Sequence, residues 1–253
     1  MSLRLRQVAL AAHDLEATAE LFCSVLDVEI AHRDPGVAFF GLVNVVIPIG
    51  DGFLEIVSPT RGDAAARRYL TRRGGDCGYM VMIQTDRFDA DRARAEARAV
   101  RVVWQGEFPD IRGMHFHPRD TGGALLSLDE PIPAGAWRWA GDFWQHRVRT
   151  RRVSALRGVT VACLDPEAVA ARWAALLNRK PTAGTEGPRL ALDDGSRVRF
   201  APAETSADEG VVAIALATRD REAVLAAARD YPLASDAEGF HACGIRVTLE
   251  PEA

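Results

Sequence analysis

The sequence predicts an α+β fold: four strand–helix–strands modules in two pairs, with curved antiparallel-rich sheets and helices on their outer sides. Three observations carry this. An apolar, strand-like run ends in Asp14 and opens a helix, and the same order returns at Asp165. Each half then offers a second strand–helix pair followed by short strands. The chain is also long and apolar enough, at 253 residues and 48% hydrophobic, to build a large core without staples.

The elements follow in order. Residues 5–12 read as a strand. Asp14 is placed to cap a helix over 15–26, where Leu15, Ala19, Phe22 and Leu26 recur at helical spacing. Short strands are predicted at 30–33, 38–42, 43–48 and 53–58, punctuated by Asp34-Pro35-Gly36 and Gly50-Asp51-Gly52. A short helix at 64–70 leads to a strand at 78–85. A helix at 88–99 leads to strands at 101–104, 114–117 and 124–129. Residues 131–152 break the periodicity. Their Pro131, Pro133, Trp137, Trp139 and Trp144 make them a structured linker, because indole rings favour burial. The basic run 147–152 reads as a solvated boundary.

The second half repeats the first. A strand over 156–165 precedes a helix over 166–177, begun by Asp165 and Pro166. Strands at 190–192 and 198–201 flank the turn Asp193-Asp194-Gly195. A strand at 210–218, a helix at 221–231 and strands at 240–243 and 245–250 close the chain. The expected domains are 1–130 and 153–253, joined by the Trp-rich linker 131–152.

Composition narrows the function classes. The formal charge of −4 argues against a nucleic-acid binder, even though all 31 basic residues except Lys180 are Arg. The spacing of Cys23, Cys77, Cys163 and Cys243 matches no zinc pattern. There is no signal-peptide pattern and no run of 18 apolar residues, so the expectation is a cytoplasmic protein with reduced thiols and no membrane partner.

Three stretches carry a family resemblance. They are Val8-Ala9-Leu10-Ala11-Ala12-His13-Asp14-Leu15-Glu16, then Phe53-Leu54-Glu55-Ile56-Val57-Ser58-Pro59, and His115-Phe116-His117-Pro118-Arg119-Asp120-Thr121-Gly122-Gly123-Ala124-Leu125-Leu126-Ser127-Leu128. With them the chain resembles the vicinal oxygen chelate superfamily of glyoxalase, bleomycin-resistance and extradiol dioxygenase proteins, and within it methylmalonyl-CoA epimerase-like members. The resemblance covers residues 4–130; the second half matches by pattern. It implies paired βαβββ modules curled around a cup. In metal-dependent members four strand positions hold a divalent ion. Here those positions are Gln7, Glu55, Tyr79 and Ser127, and only Glu55 is a strong ligand type. In the second half they fall near Gly158, Val198, Val211 and Thr248, none of them a usual side-chain ligand. A family-type metal site and a cofactor are therefore not expected, with a divalent metal the lesser alternative.

Glu55 stands in an apolar strand, as a buried general base would; a carboxylate paired with Arg or facing solvent is the competing reading. Tyr79 is placed to donate a hydrogen bond to a developing oxyanion, or to serve the core. Gln7, Ser127, His115 and His117 are candidate substrate-lining residues. The expected ligand is a small molecule, and the expected assembly a monomer or homodimer. Two functions stay open: a metal-independent isomerase or lyase with Glu55 as base, and a non-catalytic small-molecule binder like the bleomycin-resistance proteins. An extradiol-type dioxygenase is a third, disfavoured by the missing ligands.

Overall fold

A computed structural model of the chain describes residues 3–252. The first module contains β1 (Arg4–Ala11), α1 (Leu15–Leu26), β2 (Leu42–Ile49) and β3 (Gly52–Pro59). After α2 (Ala65–Arg73), the second contains β4 (Cys77–Gln84), α3 (Phe88–Glu96), β5 (Val102–Phe108), β6 (Ile111–Phe116), the single turn α4 (Pro118–Thr121) and β7 (Leu125–Pro131). The third contains β8 (Val153–Cys163), α5 (Pro166–Leu177), β9 (Arg189–Ala191) and β10 (Arg197–Pro202). The fourth contains β11 (Gly210–Thr218), α6 (Arg221–Asp230), β12 (Ser235–Asp236), β13 (Gly239–Ala242) and β14 (Ile245–Pro251).

The strands form two seven-stranded sheets, one from each half of the chain. Inside the modules the spatial orders are β2-β3-β1, β4-β7-β6-β5, β8-β10-β9 and β12-β13-β14-β11. In each module the first strand lies parallel to a later one, and the remaining neighbours are antiparallel. The helix between the parallel strands makes that crossover possible. This is the predicted α+β architecture.

Compactness groups the chain into two units. One holds the stretch ending at Arg6 with Met80–Arg138 and Gly158–Val211; the other begins at Gln7–Tyr79 and adds Trp139–Arg157 and the stretch from Val212 onward. Within the first unit α3 packs on α5, and within the second α1 packs on α6.

Local chemistry explains the helix starts. Asp14, Asp165 and Asp220 each accept a hydrogen bond from the backbone N–H three residues on, at Ala17, Ala168 and Ala223. Each cap satisfies one of the N–H groups that a helix start leaves open. The C-terminal end of α1 uses the basic run instead. Arg152 donates to the carbonyls of Ser24 and Val25, Arg151 pairs with Asp27 at 2.6 Å, and Arg147 and Arg149 reach Glu29. Helix ends favour cations there. In the linker, Trp137 and Trp144 are buried and Trp139 is half-buried.

Two predicted strands are absent. Residues 30–33 contribute only an isolated bridge, His32 to Val46. Residues 38–42 do not form one strand, because Pro35–Phe40 is a 3-10 helix. Asp34 caps it by accepting from the Gly36 N–H at 2.7 Å, and Gly41 ends it with φ of 70°. Turn chemistry overrode an apolar run that periodicity could not separate from a strand.

Gly50 tests the packing of the β2–β3 hairpin. Its φ is +61°, and an added Cβ would lie 2.0 Å from the Ser154 carbonyl oxygen. Gly50→Ala is expected to cost about 2 kcal/mol or more, combining left-handed strain with a backbone clash. Urea unfolding measures it; a loss below ~0.5 kcal/mol would contradict the close approach.

Candidate functional site

The site starts from strand alternation. The β1–β3 register sets Gln7, Ala9 and Ala11 on the same face as Phe53, Glu55 and Val57. The β2–β3 register adds Leu42, Asn44 and Val46 to that face. Val8, Leu10, Leu54 and Ile56 alternate to the other side, buried like the apolar stripe of α1. Near the polar residues, Ala11, Leu42, Val57 and Cys77 pack with Ala66 and Leu70, and with Tyr69 and Tyr79. The polar group is thus set in an apolar wall.

Glu55 is 7% exposed, Gln7 1% and Asn44 4%. Gln7 Nε2 donates to Glu55 Oε2 at 2.8 Å, and Asn44 Nδ2 donates to Glu55 Oε1 at 2.6 Å. The Asp34 N–H donates to Asn44 Oδ1 at 2.8 Å. That last bond orients the Asn44 amide, because its oxygen is taken and its NH₂ must face the carboxylate. Burial raises the Glu55 pKa above its ordinary value of 4.5. The Asn44 and Gln7 hydrogen bonds oppose the shift, and the Asp34 charge adds to it. Both partners of the carboxylate are neutral amides, so the competing reading of an Arg-paired Glu55 does not describe it.

Tyr79 belongs to the same compact unit. Its ring meets Tyr69 edge-on, with centroids 5.4 Å apart. Burial pushes its phenol up to about 12, helped by Tyr69 and by the Glu55 charge. At neutral pH Tyr79 is therefore a hydrogen-bond donor and not a phenolate. Arg72 lies over the Tyr69 ring at 4.6 Å.

Ser127, His115 and His117 lie in the other unit. Ser127 is fully buried; its Oγ is 2.6 Å from Asp129 Oδ2 and 3.2 Å from the Met114 carbonyl. His115 stands opposite Ser127 in the β6–β7 register and against Trp104, with ring centroids 4.4 Å apart. Desolvation pushes its imidazole down to about 3, so His115 is neutral at physiological pH. His117 caps α4, its Nδ1 accepting from the Arg119 N–H at 3.1 Å. The structure therefore brings Gln7, Glu55 and Tyr79 into one unit, and gives Ser127 and the two histidines neighbours of their own.

Asn44 and Asp34 escaped the sequence reading. One signal was present: Asn44 is the only side chain with hydrogen-bonding groups in the apolar run of β2. Its partner depended on strand register, which local sequence does not show.

A divalent ion is what the family resemblance implies, and the donors present do not fit one. Both Glu55 oxygens accept amide N–H groups, Tyr79 holds its proton, and the Ser127 hydroxyl is engaged with Asp129. Among the described residues no group of three or more His, Cys, Asp or Glu side chains could hold a metal ion. No helix among them is long and apolar enough to cross a membrane.

The family described as "Glyoxalase-like domain" matches residues 8–177. Human mitochondrial methylmalonyl-CoA epimerase is 23% identical over 130 residues, spanning 50% of this chain and 73% of that protein. A Streptomyces coelicolor methylmalonyl-CoA epimerase variant, solved with 2-nitronate-propionyl-CoA, is 26% identical; it covers 52% of this chain and 99% of its own, with a TM-score of 0.46. A hypothetical protein from Staphylococcus aureus covers 99% of this chain and 100% of its own at TM-score 0.71 and 9% identity, a likeness of fold alone.

Proposed function

The chain belongs to the glyoxalase-like domain family, and from that premise we propose that it is a metal-independent isomerase or lyase acting on a small carbon acid, with Glu55 as the base. The observation that carries this is the buried Glu55 carboxylate, held by two neutral amides in the compact unit that also contains the protonated Tyr79. Burial without an ion-pair partner favours the protonated form, so the carboxylate is a stronger base than one in water. The Gln7 and Asn44 amides fix its plane while leaving lone pairs on both oxygens.

In the proposed step, a Glu55 oxygen takes the proton α to a carbonyl. The C–H electron pair becomes the C=C bond of an enolate, and the charge moves to the carbonyl oxygen. Tyr79 donates a hydrogen bond to that oxyanion. Delivery of the proton from Glu55 to a different carbon of the delocalised anion, such as the γ-carbon of a β,γ-unsaturated substrate, completes an isomerisation by moving the double bond; loss of a β-leaving group instead completes an elimination. The name of the human relative, an epimerase, is consistent with proton abstraction at carbon.

Exchange of α-protons into D₂O, followed by proton NMR with simple acyl thioesters, tests the reading. Tight capture without exchange would replace it with the small-molecule-binding alternative. Tyr79→Phe is expected to lower the exchange rate about 10²–10³-fold, the usual cost of one oxyanion donor, while the ring keeps its contact with Tyr69. An unchanged rate would remove Tyr79 from the mechanism.

A further inference from the structure

The turn between β13 and β14 carries a residue that its geometry disfavours. Ala242 pairs with Ile245, so Cys243 and Gly244 form a two-residue hairpin loop. Both have positive φ, 49° and 66°. Asn-Gly is the pair that such a loop prefers, and a Cβ at its first position is strained. Strain held in a packed turn points to a use for the side chain. The Cys243 side chain lies against a second cysteine. A Cβ added to Gly244 would come within 1.9 Å of the Asp76 carbonyl oxygen and 3.2 Å of Cys77 Cα, so the turn rests directly on the start of β4. The Cys243 thiol donates to the Ala11 carbonyl at 3.7 Å, and Ala11 packs in the same apolar group as Cys77. The Cys77 backbone N–H faces the Cys243 sulfur, and the Cys77 side chain acts on it as well. A sulfur that reaches the backbone N–H of another cysteine is one side-chain rotation from that cysteine's own sulfur. All of these groups belong to one compact unit.

We infer that Cys243 and Cys77 are a reversible redox pair that closes to a disulfide when a peroxide reaches this turn. Cys243 is partly exposed and Cys77 is 1% exposed, which sets the order of events. The Cys243 sulfur, as thiolate, attacks one peroxide oxygen. The O–O bond breaks, the leaving oxygen takes up a proton and departs as water, and Cys243 becomes a sulfenic acid. The Cys77 sulfur gives up its proton and attacks the Cys243 sulfur. The S–S bond forms, the S–O bond breaks, and the hydroxyl leaves with that proton as a second water. Two thiols lose two electrons, and one peroxide is reduced to two waters. Burial pushes both thiols up, Cys77 to about 11, so little thiolate exists at neutral pH and closure is slow there. The pair is a lock for sustained oxidation and not a rapid sensor. Once closed, it ties the β13–β14 turn to the apolar group that packs with Tyr69 and Tyr79.

The test uses the full chain, reduced, freed of reductant and held with hydrogen peroxide at mildly alkaline pH. Remaining thiols are alkylated, and the digest is mapped by mass spectrometry without reduction. The expected product is a cross-link between the Cys77 and Cys243 peptides, lighter by two hydrogens than the thiols and reopened by dithiothreitol. Its long closed loop should raise the thermal midpoint by about 5 °C or more. Cys243→Asn removes the thiol and supplies the residue that the turn prefers, so this variant folds and should show no peroxide-dependent shift. Alkylated Cys77 and Cys243 after treatment, over-oxidised Cys243 without a cross-link, or pairing with Cys23 or Cys163 would each overturn the inference. So would an unchanged midpoint in the closed protein, or the same shift in Cys243→Asn.

Discussion

Glu55→Gln is expected to lower α-proton exchange by 10²–10⁴-fold, the usual contribution of a positioned general base, while ligand binding changes little. Gln is isosteric with Glu and can accept a hydrogen bond through its carbonyl oxygen, so the packing around residue 55 is kept. Retained exchange would exclude Glu55 as the base. The same substitution isolates the pH dependence. The folded pKa of Glu55 is raised above 4.5 by burial. Its contribution to stability is therefore fully present below the unfolded pKa and is lost as pH rises through the folded value. Wild-type exchange should rise over that window as the carboxylate forms, and wild-type stability should fall relative to Glu55→Gln. Urea unfolding from pH 4 to 9 reads the difference between the two proteins. A constant difference would mean that Glu55 titrates as it does in water.

Asn44→Asp is expected to produce the second large effect. It replaces the amide that lies 2.6 Å from Glu55 Oε1 with a second carboxylate. Two carboxylates at that distance retain one shared proton, and the pKa of the pair rises. At low pH the shared proton replaces the lost N–H donor, and stability should lie near that of wild type. As pH rises through the raised pKa, repulsion on the order of 4 kcal/mol develops. The backbone N–H of Asp34, which now donates to Asn44 Oδ1, can still donate to the new carboxylate and offsets part of that loss. Stability curves measured between pH 5 and 9 should diverge steadily from wild type. Parallel curves would show that residues 44 and 55 are not in contact in solution.

Much of this was legible from residues that act locally. Asp14 before Leu15 and Asp165 before Pro166 announced two helices, because a cap and an apolar stripe are both short-range signals. The run Phe53 to Val57 announced a strand with one out-of-character carboxylate, and strand alternation placed Glu55 beside Phe53 and Val57. The strand predicted at 38–42 gives way to the 3-10 turn Pro35–Phe40, because Val37, Ala38, Phe39 and Phe40 carry no periodicity of their own. Its outcome depended on one side-chain hydrogen bond from Gly36 to Asp34 and on the left-handed geometry of Gly41.

The sequence by itself determined the repeated module, the helix starts, the weakness of the ligand positions and the presence of an ionisable group at 55. Each of these is written in neighbouring residues or in a spacing. Only the tertiary structure decided what surrounds Glu55. Residue 7 is far along the chain from residues 44 and 55, which meet across the β2–β3 hairpin, and a one-residue change in strand register would turn any of them to the opposite face. The register brought two neutral amides onto the carboxylate. That arrangement, more than the identity of any one side chain, sets the charge and basicity of the carboxylate.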